Sequence, residues 1–171
     1  LCAVCEQAYA ERRQAHPDAE APVYIIGSEV PIPGGAQQAE DGVGVTRPED
    51  CLATYCTFRQ AFEAHGLADA WTRVVGMVVQ PGVEFGNDEV FAYDSAAAQD
   101  LTALLKQLPV VFEGHSTDYQ PPEALRSMVR DGIAILKVGP ALTFGLREAL
   151  FALECIEREL LRGSGVPMSD F

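Results

Sequence analysis

Apolar and polar positions along the chain repeat in the order helix, short strand, loop, helix. Residues 1–15 carry a helical pattern that Pro17 and Asp18 end. The run PVYIIG at 22–27 is short, continuous and rich in β-branched residues, as in strands of a parallel sheet buried on both faces. A loop with two prolines and the pair Gly34 and Gly35 follows, and residues 36–45 read as extended loop. Thr46 to Glu49 predicts a capping box with Pro48 in the first turn. The helix it starts runs to His65 and stops at Gly66. The second strand is VVGMVV at 74–79, followed by a loop through Phe85. Asp94 or Ser95 is expected to open a helix with Leu101, Leu104, Leu105 and Leu108 on one face. The third strand is PVVF at 109–112, with a loop from Glu113 to Asp118. Pro121 and Pro122 open a helix whose Leu125, Met128 and Val129 face inward, and Gly132 closes it. The fourth strand is IAIL at 133–136. A long final helix carries Leu146, Leu150, Leu153, Ile156 and Leu160 on one stripe and breaks at Gly163.

Strands alternating with helices imply an α/β fold with parallel pairing. An open doubly wound sheet usually has a glycine-rich dinucleotide turn after its first strand. Gly27, Ser28 and Glu29 do not supply one. Polar residues instead end all four strands: Glu29, Gln80, Glu113 with His115, and Lys137. A (β/α)₈ TIM barrel presents its functional residues this way, at one mouth. The expectation is a barrel of which this chain covers about the C-terminal half, four βα units over residues 1–162, with 163–171 as a loose tail. The chain begins at Leu1, already inside a helical pattern, which suggests a piece of a longer protein. A half-barrel leaves two open strand edges and an unfilled interior, so association into an oligomer is expected.

Charge narrows the partners. The formal net charge is −13, and no cluster of Lys and Arg exists to displace phosphate counterions. Nucleic acid is not expected. A phosphorylated metabolite still is, because a few backbone amides and one cation suffice to bind it locally. No apolar run approaches the roughly 20 residues that a membrane span requires, and the first residues lack the pattern of a secretory signal. Five cysteines without framework spacing fit a reducing cytoplasm. Cys2 and Cys5 have C-x-x-C spacing, but with no second such pair they read as small helical residues.

Four segments carry a resemblance: YIIGSEVPIPGG at 24–35, VVQPGVEF at 78–85, FEGHSTDYQ at 112–120 and ILKVGPALTF at 135–144. In wording and order they resemble the GatZ/KbaZ-type subunits of D-tagatose-1,6-bisphosphate aldolase, from about Val4 to Leu161. The resemblance implies a fold similar to the class II, metal-dependent aldolases. It also implies an accessory role, in which the chain stabilises and activates a catalytic class II subunit. Members have been called tagatose-6-phosphate kinases too, but no G-x-x-x-x-G-K-[ST] loop is present. The alternative is an enzyme in its own right, a metal-dependent ketose-phosphate aldolase or a hexulose-phosphate 4-epimerase working by retro-aldol chemistry.

The resemblance assigns roles to the strand-end residues. His115 stands where the catalytic enzymes carry a zinc-binding histidine, so a divalent metal, zinc, is expected at His115 with Glu29. The bland reading of His115 is a histidine that caps its loop. Gln80 stands where those enzymes place another zinc-ligating histidine, and an amide is a poor zinc ligand. That departure favours the accessory role. Glu29, Gln80 and His115 form the candidate catalytic set. Ser116, Thr117, Lys137 and Gly139 form the candidate phosphate set, beside the start of the last helix. For Lys137 an ion pair with Glu113 is the alternative. Glu84 and Asp118 are acidic loop residues, with solvation and a site role both open.

Overall fold

The computed structural model describes residues 1–27 and 43–169. It divides into two compact units, Leu1–Lys137 and Val138–Phe171. The first unit holds a four-stranded parallel sheet of β1 (Tyr24–Ile26), β2 (Val74–Val79), β5 (Val111–Gly114) and β6 (Ile133–Leu136). The spatial order follows the chain order, and β1 and β6 are the edges. Between β1 and β2 run α2 (Pro48–Ala64) and the short α3 (Ala68–Trp71); α1 (Cys2–Ala15) precedes the sheet. The return from β2 to β5 uses a small antiparallel hairpin, β3 (Glu84–Phe85) with β4 (Val90–Phe91). It continues through α4 (Gln99–Ala103) and a 3-10 turn at Leu104–Gln107. α5 (Pro122–Arg130) joins β5 to β6. The α/β class read from the chain therefore holds, with every pair in the main sheet parallel.

The two faces of this sheet differ. Register pairs Met77 with Phe112, and these side chains share a core with Ile26, Val79 and Ile133. Helix residues Cys51, Phe62, Leu101, Leu104, Ala124 and Met128 complete that core. Phe112, Met77 and Met128 are at most 1% exposed, and side chains of this size contribute about 1.5–3 kcal/mol each on burial. The other face carries the residues of the alternate register, because side chains along a strand point alternately up and down. Ile25 pairs with Gly76 and Gly76 with Val111; Val78 pairs with Glu113 and Glu113 with Ile135. Ile25 and Val111 are 44% and 37% exposed. Gly76 makes room on this face, since a Cβ there would lie 3.3 Å from Ile25 and 3.5 Å from Ile135.

Several local expectations change. The third strand lies two residues later than 109–112, which moves Glu113 out of the loop and into the sheet. Pro109 has no N–H for a sheet ladder, which fits the later start. The capping box at Thr46 does not form. The helix N-cap is Arg47 with no side-chain cap, and the Thr46 hydroxyl turns to β2 instead. The helix expected at Asp94 or Ser95 starts only at Gln99, because the Asp94 carboxylate accepts from the Ala96 amide at 2.8 Å and holds a turn there. The β3–β4 hairpin occupies what reads as plain loop. Val129 points outward, at 57% exposed, while Leu125 and Met128 pack inward as expected.

The second unit contains α6 (Pro140–Leu161), whose apolar stripe is the expected one, and none of its residues is buried. Past the break at Gly163, Ser169 returns to the helix and donates from its amide and hydroxyl to Glu157 at 2.9 and 3.1 Å. No helix among the described residues is long and apolar enough to cross a membrane.

Candidate functional site at the carboxyl ends of the strands

Because β1, β2, β5 and β6 are parallel, Gly27, Gln80, His115 and Lys137 come to the carboxyl end of the sheet. Glu29 lies outside the described residues. The other candidates divide by what their side chains are already doing.

Gln80 organises its own loop. Its amide oxygen accepts from the backbone N–H of Gly82 at 2.9 Å and of Val83 at 3.0 Å. Its backbone N–H donates to the Thr46 hydroxyl at 2.8 Å, and its carbonyl accepts from the Thr46 N–H at 2.8 Å. Gly82 sits at φ +87°, where a side chain would be strained, and Val83 is fully buried. The glutamine thus closes a turn that tucks Val83 into the core.

His115 and Glu113 form a pair. The His115 Nε2 lies 2.7 Å from Glu113 Oε1, and both side chains are largely shielded, at 15% and 6% exposed. Lys137 reaches the same carboxylate oxygen only at 3.9 Å, with its side chain 58% exposed. An ion pair that long and that wet is worth little. The Lys137 ammonium is thus largely in solvent, while its backbone fixes the loop after β5. The Lys137 N–H donates to the Gly114 carbonyl at 2.9 Å. The Thr117 N–H and hydroxyl donate to the Lys137 carbonyl at 3.2 and 2.8 Å. Thr117 therefore has its hydroxyl hydrogen committed to the main chain.

Ser116 and Tyr119 adopt left-handed backbone at φ +53° and +61°. That region is uncommon for residues other than glycine and unfavourable for a ring as bulky as tyrosine. The ring of Tyr119 stays half-exposed and meets Phe85 of β3 edge-on, centroids 5.4 Å apart. Ser116 is buried, as are Glu84 and Asp118, so neither acidic residue is a solvated loop carboxylate. Glu84 accepts from the Phe85 amide at 3.0 Å. Gly139 belongs to the second unit.

A polar bracket supports these loops. The Gln120 amide accepts from Tyr93 N–H at 3.0 Å and donates to the Phe91 carbonyl at 2.8 Å, tying β4 to the loop after β5. The Tyr93 hydroxyl donates to Asp131 at 3.1 Å. Burial, then this bond, pushes the Tyr93 hydroxyl well above its usual range. A hydrogen bond to Ser95, then that to Tyr93, holds the Asp131 carboxyl below its usual range.

As a metal site the described residues fall short. A catalytic zinc has three protein ligands, usually imidazoles with or without a carboxylate. One imidazole and one carboxylate stand here, facing each other, and the Gln80 oxygen is aimed at two amides. Among the described residues no group of three His, Cys, Asp or Glu side chains is placed to hold an ion. Glu113, Thr46 and Gln120 carry more of the geometry than spacing suggested. For Glu113 the signal was present, since it and His115 stand two apart and so share one face at a strand end.

A family model described as D-tagatose-1,6-bisphosphate aldolase subunit GatZ/KbaZ-like matches residues 1–168. The chain is 52% identical over 155 residues to the D-tagatose 6-phosphate 4-epimerase of Agrobacterium fabrum, covering 90% of this chain and 36% of that protein. It is 49% identical over 161 residues to the D-tagatose-1,6-bisphosphate aldolase subunit GatZ of Salmonella enteritidis, covering 94% of this chain and 37% of that one. A crystal structure of a "probable tagatose 6 phosphate kinase" from Sinorhizobium meliloti is similar at a TM-score of 0.72 and 51% identity, over 93% of this chain and 38% of that one. The chain thus spans little more than a third of the length of these relatives.

Proposed function

Since the chain belongs to the GatZ/KbaZ-like family of D-tagatose-1,6-bisphosphate aldolase subunits, we propose that it is part of an accessory, non-catalytic subunit that stabilises and activates a catalytic class II aldolase subunit in the catabolism of galactitol- and tagatose-type sugars. The observation that carries this reading is Gln80. At a strand end where the resemblance expects a zinc-binding histidine, its amide oxygen is spent on the Gly82 and Val83 amides.

In this reading residues 1–162 supply four βα units of a (β/α)₈ barrel, and 163–171 are its tail. Support comes from strands that follow chain order and from helices α2, α4 and α5 sharing the core of one sheet face. A doubly wound sheet would divide its helices between both faces. The open face with Ile25 and Val111 becomes the barrel interior, closed by the rest of the longer protein. The carboxyl ends of the strands form a sugar-phosphate pocket lined by His115, Ser116 and Lys137. A divalent metal there would draw on His115 and Glu29 with donors from elsewhere in the protein.

A second reading has a specific observation in its favour, the 52% identity to a protein named as a D-tagatose 6-phosphate 4-epimerase. Retro-aldol epimerisation breaks the C3–C4 bond as the C4 hydroxyl gives up its proton, then re-forms it on the other carbonyl face.

One experiment separates the two. The full-length protein is purified alone, its metal is measured by elemental analysis, and turnover of tagatose and fructose phosphates and bisphosphates is followed with and without the partner aldolase. The accessory reading expects no turnover alone and a more active, more stable partner. Stoichiometric metal with turnover by the isolated protein would overturn it in favour of the enzyme.

A further inference from the structure

The strand residue beneath His115 has no role in the reading above. Glu113 lies inside β5, paired with Val78 on one side and Ile135 on the other, so its backbone is fixed from both flanks. Its carboxylate is buried, and a buried carboxylate is costly unless it finds a donor. Among the described residues two candidates are near, and they are unequal. Lys137 stands at 3.9 Å with most of its side chain in solvent, whereas the His115 imidazole stands at 2.7 Å and is shielded. That shorter distance is typical of a charge-assisted bond. A carboxylate in its ionised form only accepts, and the donor in this pair is then His115 Nε2.

We propose that Glu113 is the positioning residue of His115. It holds the ring as the Nε2–H tautomer and leaves Nδ1 as the acceptor at the carboxyl end of the sheet. In a neutral imidazole one nitrogen donates and the other accepts, so fixing one fixes both. No hydrogen bond is made at Nδ1 among the described residues. The main chain on either side is pinned as well, by the bond from Lys137 to Gly114 and by the two from Thr117 to Lys137. Ring and backbone are held from separate directions, which is how a side chain is kept within the narrow tolerance that ligand recognition requires. That Nδ1 faces the sugar-phosphate pocket rests on the proposed function.

The test uses full-length protein labelled with ¹⁵N-histidine, with the His115 resonances assigned by H115Q. Long-range ¹H–¹⁵N spectra are expected to give the Nε2–H tautomer in the wild type and a loss of that single-tautomer pattern in Glu113→Gln. Lys137→Ala is expected to leave the pattern intact. Calorimetric affinity for D-tagatose 6-phosphate is expected to fall about tenfold in Glu113→Gln, the worth of one misdirected hydrogen bond. An Nδ1–H tautomer in the wild type overturns the proposal without recourse to any variant, and so does an unchanged pattern in Glu113→Gln. A lost pattern with unchanged affinity upholds the pairing and instead removes His115 from the sugar-phosphate site, a failure of the proposed function.

Discussion

The two ends of the parallel sheet use polar residues in opposite ways. At the amino ends, Arg73 precedes β2, Tyr24 opens β1, and Glu6 of α1 joins them. The Arg73 guanidinium donates to both Glu6 oxygens at 2.8 and 2.6 Å and to the Pro22 carbonyl at 2.6 Å. It also lies 5.7 and 5.8 Å from the ring centres of Tyr9 and Tyr24. The Tyr24 hydroxyl donates to the same carboxylate. Charge, donors and ring faces satisfy one another, and what results is a staple from helix to sheet. At the carboxyl ends, Ser116 and Tyr119 sit in left-handed backbone, and Glu113 pairs with one imidazole whose second nitrogen makes no hydrogen bond among the described residues. Strain and spare bonding capacity collect where α/β sheets bind their ligands, while closed networks collect at the end that only has to hold.

The contrast breaks most easily at Gly27, which directly follows β1. Its φ is +151°, and a Cβ there would lie 2.6 Å from the Val78 Cβ. Gly27→Ala combines backbone strain with a clash against a strand that cannot yield, and is expected to cost about 3 kcal/mol in urea unfolding of the full-length protein. A loss under about 1 kcal/mol would show that this end tolerates a side chain and is not tightly built.

The staple comes next. Arg73→Met keeps the aliphatic stem and removes the bonds, for an expected loss of about 2 kcal/mol, because Glu6 is left partly shielded without its cation. The pH dependence follows from two shifts of opposite sense. The hydrogen bond from Arg73 holds the Glu6 carboxyl below its usual range. Its contribution is complete above the unfolded value, about 4.3, and is lost as pH falls through the lower folded value. Burial, then the bond to Glu6, pushes the Tyr24 hydroxyl up to about 12. That contribution is complete below about pH 10 and is lost as pH rises towards the folded value. Stability of the wild type relative to Glu6→Gln should therefore shrink in acid, and relative to Tyr24→Phe in alkali. A flat difference across either range would dissolve the network.

What the chain made legible was whatever a short window contains. The four strands of the parallel sheet, their order and the helix stops at Gly66 and Gly132 followed from apolar runs and glycines. Strand-end candidates were legible as residue types. The tertiary bonds that hold the loops and the staple were not, because their partners are distant in sequence. Gln80 meets Thr46 across 34 residues, and Gln120 meets Tyr93 across 27. Arg73 reaches Glu6 across 67. Short apolar pairs such as Val90 and Phe91 carry too little periodicity to announce a two-residue strand.

The smallest effect sharpens the comparison at Thr46, where a local rule and a tertiary contact compete for one hydroxyl. The pattern from Thr46 to Glu49 promises reciprocal capping, yet the hydroxyl accepts from the Gln80 N–H and Glu49 is spent on an exposed contact with Arg47 at 3.5 Å. The tertiary bond prevails because Gln80 ends a buried strand, and its N–H would otherwise lack a partner away from water. An exposed helix start can hydrogen-bond to solvent instead. Thr46→Ser, which keeps the hydroxyl, should then be nearly neutral, while Thr46→Val should cost about 1 kcal/mol. Glu49→Gln, which could still serve a capping box, and Glu49→Ala, which could not, should both stay within about 0.5 kcal/mol of the wild type. A clear loss in Glu49→Ala alone would return Thr46 to the helix and detach it from the carboxyl end of β2.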